Sequence, residues 1–401
     1  MKYWCKRLII IPWIFCFSFC QNEVREIEYS DIKASSQLDR AENQIDLLLS
    51  SSLKEDRIPR TVEQDHIKWA NPAFDWTEGF FPGTCWYMYE ETGDQKWKTA
   101  AEKFQEKYED HKFLKTNHDL GFIFNCSYNN GYRLTNNENF KQILITAGKS
   151  LITRFNPVVG AIQSWDVDKG WQSERGWQYP VIIDNMMNLE LLFKVSEITG
   201  DQDYKDIAIK HANTTLANHF RDDQSSFHVV DYDPMTGEVR SKQTAQGYSD
   251  ESTWARGQAW GLYGYTVCYR YTKDQKYLDL ANNIAQLIIS HKNLPEDGIP
   301  YWDFNAPGIP DEPRDVSAAA ITASALLELD TYSSIDYSSF IHKVLSALLS
   351  DSYFAATGSN NYFLLKHSVG SIPHGAEIDV PLIYADYYFI EALTRIRQIR
   401  H

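Results

Sequence analysis

The residues of this sequence that are equipped for chemistry gather in six short clusters. They are Trp76-Thr77-Glu78-Gly79-Phe80, His118-Asp119-Leu120-Gly121-Phe122, Asp184-Asn185-Met186-Met187-Asn188, Trp254-Ala255-Arg256-Gly257-Gln258-Ala259-Trp260, Arg314-Asp315-Val316-Ser317 and Asp379-Val380-Pro381. Carboxylates recur among them beside aromatic rings, a combination suited to proton transfer on a stacked ring substrate. Other chemistries find no support. The sequence holds no G-x-S-x-G elbow, no phosphate-binding glycine loop, no G-x-G-x-x-G fingerprint and no H-E-x-x-H metal pair. Taken singly, Asp119, Asp184, Asp315 and Asp379 would also serve as helix N-caps.

Helices must position these clusters. Apolar residues recur at helical spacing in about twelve segments, roughly 36–52, 79–92, 94–109, 119–133, 137–154, 181–199, 201–219, 253–271, 274–291, 315–331, 335–351 and 379–398. A repeated corner joins several of them: Thr92-Gly93-Asp94-Gln95-Lys96-Trp97, Thr135-Asn136-Asn137-Glu138-Asn139-Phe140, Thr199-Gly200-Asp201-Gln202-Asp203-Tyr204 and Thr272-Lys273-Asp274-Gln275-Lys276-Tyr277. Gly or Asn suits the left-handed residue that closes one helix, Asp or Asn caps the next, and the aromatic residue pins the turn. Antiparallel hairpins follow. Six hairpins closed on themselves make an all-α (α/α)6 toroid, which buries the end faces that an open array would expose. Every second helix opens with one of the chemical clusters. In a toroid all six clusters meet at one mouth, among helix N-termini that favour anionic groups.

Three long connections, roughly 155–180, 220–252 and 292–314, lead into cluster-bearing helices and carry Trp165, Trp171, Trp177, His228, Tyr248, Tyr301 and Trp302, as functional rims do. Aromatic residues make up 14% of the chain, enough to supply both a core and sugar-stacking platforms. No Gly-, Ser- or Pro-rich linker divides the 401 residues, so one large domain is expected over 21–401. A net charge of −15 argues against a nucleic-acid partner, which long-range repulsion would keep away. Lys2, Lys6 and Arg7 precede an apolar run from Leu8 to Phe19 that is too short to span a membrane and reads as a signal peptide over 1–20. Export to the periplasm is expected, with Cys20 as a lipid-anchor candidate, although the residues before it depart from the small-residue preference of such sites. Cys85, Cys126 and Cys268 are widely separated and form no C-x-x-C pair, so neither a disulfide framework nor a zinc site is expected.

His118-Asp119-Leu120-Gly121-Phe122, Asp184-Asn185-Met186-Met187-Asn188 and Ala255-Arg256-Gly257-Gln258-Ala259-Trp260-Gly261 resemble the unsaturated glucuronyl hydrolases, glycoside hydrolase family 88. The segment from His228 through Asp233-Pro234-Met235-Thr236-Gly237-Glu238 and the run Gln246-Gly247-Tyr248-Ser249-Asp250-Glu251-Ser252-Thr253-Trp254 extend the resemblance over nearly the whole mature chain. The related unsaturated rhamnogalacturonyl hydrolases tend to carry R-G-N-G-W where this chain has Arg256-Gly257-Gln258-Ala259-Trp260, so the glucuronyl group fits better.

The resemblance implies removal of a Δ4,5-unsaturated uronic acid from the non-reducing end of oligosaccharides made by a polysaccharide lyase, with no cofactor and no metal. It implies Asp184 as general acid and base and Asp119 as a ligand of ring hydroxyls, with His228 and Gln246 lining the same pocket. Trp76, Trp165, Trp254 and Trp260 are candidates for ring stacking or for inner-wall packing. Arg256 belongs to the candidate binding set, with a structural role as its alternative. Protonation of Asp184 at working pH would follow from burial and a neighbouring carboxylate. Lys169, Arg175 and Lys366, with Ser368 and Ser371, are candidates for contact with an anionic group on the next sugar, or plain solvated surface. A conventional inverting glycosidase would instead use two carboxyl groups about 6.5–9.5 Å apart. A helical sugar-binding protein would share the export signal and the aromatic residues, but would not require Asp119 and Asp184 together.

Overall fold

A computed structural model describes residues 32–399. The proposed signal segment and Cys20 lie outside the described residues, among which no helix is long and apolar enough to cross a membrane. Twelve α-helices are described: α1 (Ala34–Glu55), α2 (Phe80–Thr92), α3 (Gln95–Glu106), α4 (Asn130–Thr135), α5 (Glu138–Ile152), α6 (Leu189–Thr199), α7 (Gln202–Asn218), α8 (Ala255–Thr272), α9 (Gln275–Ser290), α10 (Val316–Leu329), α11 (Ser338–Leu348) and α12 (Ile383–Ile399). Two openings depart from regular α geometry. A π-helical stretch, Gly121–Asn129, runs into α4, and a 3-10 turn, Ile183–Asn188, runs into α6.

The repeated corners form as their residues dictate. Gly93, Asn136, Gly200 and Lys273 all take positive φ, ending their helices in the left-handed conformation. Asp94, Asn137, Asp201 and Asp274 then cap the next helix by accepting from the backbone N–H two residues on. The threonines do a job that their spacing hid: each donates back to the carbonyl four residues earlier and accepts from the N–H of the capping residue. Trp97, Phe140, Tyr204 and Tyr277 are buried behind the corners.

Pairing separates two kinds of helix. In α8 every residue from Ala255 to Cys268 is buried, and in α10 every residue from Val316 to Leu327, as helices surrounded by protein require. Their partners α3, α5, α7, α9 and α11 bury one face only. The cluster-bearing elements touch in order: α2, Gly121–Asn129, the Ile183–Thr199 segment, α8, α10 and α12, with α12 returning to α2, so their contacts form a closed cycle. Helix α1 packs outside α12.

Close approach between neighbours needs glycine at two of these crossings. A Cβ on Gly121 would stand 2.2 Å from Asn188 Cα, and one on Gly264 would stand 2.4 Å from Met186 Cβ. Aromatic rings fill the middle of the cycle, where Trp76, Phe80, Phe122, Trp260, Tyr384 and Tyr388 pack edge to face or tilted. Beyond them, at the C-terminal ends of the same helices, lies a polar floor. There Glu391 accepts hydrogen bonds from Tyr87, Tyr263 and Ser324, while Glu328 pairs with Arg270 and Arg395.

Helical periodicity does not reveal the strands. The connections 155–180 and 220–252 condense into a three-stranded antiparallel sheet, Pro180–Ile182, Val229–Tyr232 and Val239–Gln243. Hairpins Pro59–Trp69 and Ser368–Val380 join at the two ends of the chain through Thr61, whose hydroxyl donates to Pro381 O (2.6 Å). This corrects the helix expected from 379. Pro381 disfavours helical geometry at Val380, residues 376–380 form a strand, and α12 starts at Ile383. Asp379 is therefore neither an N-cap nor a mouth residue. It is exposed at positive φ and pairs with His367 at 2.6 Å.

Candidate active site

Asp119 and Asp184 are brought together by backbone features around each. Asn117 accepts from Asp119 N–H (2.9 Å), forming the turn that opens the π-helical stretch, while Asn188 accepts from Phe122 N–H (2.9 Å) and ties that opening to the Asp184 turn. Gly121 lets the two segments meet. The sheet sets Asp184 beside His228: Ile182 pairs with Val229, and Ile183 N–H donates to His228 O (3.0 Å). Imidazole and carboxyl thereby lie side by side, His228 Nε2 standing 3.6 Å from Asp184 Oδ2.

The tautomer of His228 follows from its partners. Its Nδ1 accepts from the amides of Ala245 (3.0 Å) and Gln246 (3.1 Å), so the ring proton sits on Nε2, facing Asp184. Burial, then the nearby Arg256 charge, holds its pKa well below the ordinary histidine value. His228 is thus a neutral donor. Neither its Nε2 nor Asp184 Oδ2 hydrogen-bonds to another protein group, although both are buried.

Burial dominates the carboxyls too. It pushes Asp184 up to about 7, against the opposing pull of Arg256, and Asp119 up to about 8, with the Asp184 charge adding to the rise. His118 stands beside Asp119, Nε2 to Oδ1 3.3 Å, and burial lowers its pKa to about 3, so it too is neutral.

Asp119, Asp184 and His118 line a cavity of about 290 Å³ together with Trp76, Trp165, Trp171, Gln246, Arg256 and Tyr384, whereas His228, expected in the lining, is buried beside Asp184 and does not line it. Trp76 and Trp165 are half-buried and face the cavity, as stacking requires. Trp254 and Trp260 do not line it. Trp254 backs His228, ring to ring at 4.6 Å, and Trp260 is completely buried in the aromatic packing below. The Trp260 indole N–H lies close enough to Asp184 to lower its pKa slightly, short of a full hydrogen bond. Arg256 reaches the cavity wall but is spoken for: it pairs with Asp315 (3.0 Å) and donates to the carbonyls of Val369 and Gly370. Asp315 is also the N-cap of α10, accepting from Ser317.

Of the basic and hydroxyl residues near the C-terminal loop, Ser371 alone lines the cavity. Lys169 and Arg175 are exposed, Lys366 donates to Asp351 O, and Ser368 is buried. Sequence reasoning missed Asn117, whose position two residues before Asp119 is a readable turn signal. It also missed Arg60, Glu377 and Tyr384, which come from hairpins and a helix start that carry no local chemical motif. Among the described residues, no group of three or more His, Cys, Asp or Glu could hold a metal ion.

Comparison with known proteins gives one answer. Residues 51–397 match the model of Glycosyl Hydrolase Family 88. The chain is 45% identical to an unsaturated glucuronyl hydrolase of Formosa agariphila, over 97% of this chain and 98% of that protein. It is 36% identical to an unsaturated chondroitin disaccharide hydrolase of Streptococcus agalactiae, over 80% and 81%. The solved structure of an unsaturated glucuronyl hydrolase specific for heparin superposes with a TM-score of 0.86 at 44% identity, covering 92% of this chain and 97% of that one.

Proposed function

The chain belongs to glycosyl hydrolase family 88, and from that premise we propose that Asp184 hydrates the C4=C5 bond of an unsaturated glucuronate at the non-reducing end of lyase-made glycosaminoglycan oligosaccharides. The observation that carries this reading is the buried carboxyl of Asp184, raised to about 7 and facing the neutral N–H of His228 at the edge of the cavity. A carboxylic acid that keeps its proton near neutrality can protonate C4 of the conjugated ring. Positive charge then develops at C5. The same group, now a carboxylate, takes a proton from the water that adds there, so one residue serves as acid and base. The hemiketal opens to a ketone at C5, leaving a hemiacetal at the former anomeric carbon, and that hemiacetal collapses to an aldehyde as it releases the saccharide as an alcohol. Asp119 holds ring hydroxyls, Gln246 lines the same subsite with His228 buried beside Asp184, and Trp76 and Trp165 offer aromatic faces.

The closed cycle of helix contacts supports an (α/α)6 toroid over a single catalytic domain, 21–401. The apolar N-terminal run supports export to the periplasm, free or lipid-anchored at Cys20.

Incubation of the purified protein with Δ4,5-unsaturated chondroitin, hyaluronan and heparin disaccharides should abolish the ultraviolet absorbance of the conjugated bond. No loss on any of them, with binding intact, would leave a sugar-binding protein instead. For the acid to act it must hold its proton, so kcat/KM should fall as pH rises through about 7 to 8, the values of Asp184 and Asp119. A neutral His228 adds no limb in that range. A profile that stays flat to pH 9 would exclude a carboxylic acid as the proton donor.

A further inference from the structure

Arg60 lies on the cavity wall between two carboxylates from opposite ends of the chain. Its Nη1 donates to both oxygens of Asp75 (2.7 Å each), just before α2, while Nε and Nη2 donate to the two oxygens of Glu377 (2.5 and 3.2 Å) on the C-terminal hairpin. Every nitrogen of its guanidinium is committed, and the side chain is only 22% exposed. Glu377 takes φ 57, a left-handed conformation unfavourable for a side-chain-bearing residue, and its side chain lies across Gly370, where a Cβ would meet Glu377 Oε2 at 2.5 Å. On the other strand the hairpin hangs from Arg256 through the carbonyls of Val369 and Gly370. Two guanidinium groups therefore pin it. Its turn carries Ser371 and His374 to the cavity, where the imidazole packs on Trp171 at 4.9 Å.

The hairpin turn is exposed, whereas Asp119 and Asp184 sit against the aromatic packing. A terminal sugar at those carboxyls puts its neighbour beside the hairpin. We propose that Arg60 is a positioning residue that latches the Ser368–Val380 hairpin through Glu377 and thereby sets how tightly the sugar next to the cleaved uronate is held. This rests on the hydrolase reading above. Because the latch acts on a part of the substrate remote from the reacting bond, it affects ground state and transition state alike.

The test compares Arg60→Gln, Glu377→Gln and the double variant on an unsaturated disaccharide and on a methyl Δ4,5-unsaturated glucuronide, which lacks the neighbouring sugar. Each single variant should raise KM for the disaccharide about tenfold, leave kcat within about twofold and leave the methyl glycoside nearly unaffected, with no further loss in the double variant. Equal rises on both substrates, no change on either, or harm from Arg60→Gln without harm from Glu377→Gln would overturn the latch; the last pattern would make Arg60 a direct substrate ligand. Should Arg60→Gln fail to fold, Glu377→Gln, which keeps the Arg60–Asp75 pair, decides alone. Failure of the native protein on both substrates would instead count against the hydrolase reading.

Discussion

Asp184→Asn should lower kcat about a thousandfold at every pH while leaving the fold intact, because it removes the only proposed proton carrier and preserves its shape. Stopped-assay ultraviolet absorbance on a disaccharide checks the rate, and calorimetry with the same disaccharide checks that binding survives. A variant with more than about a tenth of native kcat would remove Asp184 from the chemistry. Stability gives a second readout with a definite sign. Burial raises the folded-state pKa of Asp184 to about 7, above the ordinary 3.8, so the folded protein holds that proton more tightly than the unfolded chain. Its contribution to stability is complete below about pH 4 and disappears as pH rises through about 7. The Asn variant escapes that loss. Its melting temperature relative to native should climb between pH 4 and pH 8.

Glu391→Ala should destabilise the protein by about 3–5 kcal/mol, read as a drop in the urea midpoint, since it leaves buried partners unsatisfied. Tyr87, Tyr263 and Ser324 lose their acceptor together, and Arg395 loses a carboxylate at 3.5 Å. Those partners come from α2, α8 and α10, while Glu391 itself is on α12, so the residue ties four elements of the cycle at its floor. Glu391→Gln keeps one oxygen acceptor and should cost less, about 1–2 kcal/mol. An alanine variant as stable as native would show that the hydroxyls re-pair among themselves or with water. At temperatures where the variant is folded, kcat should stay near native, because the floor lies across the aromatic packing from Asp184.

Helices were legible because their signals are local. The corners announced themselves through Gly93, Asn136 and Gly200 followed by Asp94, Asn137 and Asp201, and the predicted spans fall within a few residues of the helices except over 119–133, which opens as a π-helical stretch, over 181–199, which opens as the end of a strand and a 3-10 turn, and at the start of 379–398. That last case turned on Pro381, whose effect on Val380 was readable but outweighed by the apolar periodicity that follows. Asp119, Asp184, His228 and Gln246 were named through motif resemblance and do sit at one cavity or beside it. Trp254 and Trp260 illustrate the limit. A tryptophan beside a reactive cluster reads the same whether its ring faces the substrate or supports the residue that does, and here both support: one behind His228, the other beneath Asp184. Arg60 and Glu377 were invisible for a different reason. Their partnership spans 317 residues and depends on two hairpins whose pairing no local pattern encodes.

Phe80, Phe122, Trp260 and Tyr388 are buried together behind the cavity, so the rings back the site rather than leave it open through the middle of the helix cycle. On the proposed chemistry each saccharide carries a single C4=C5 bond, so an encounter ends after one cleavage, and turnover follows the number of unsaturated chain ends rather than the mass of saccharide.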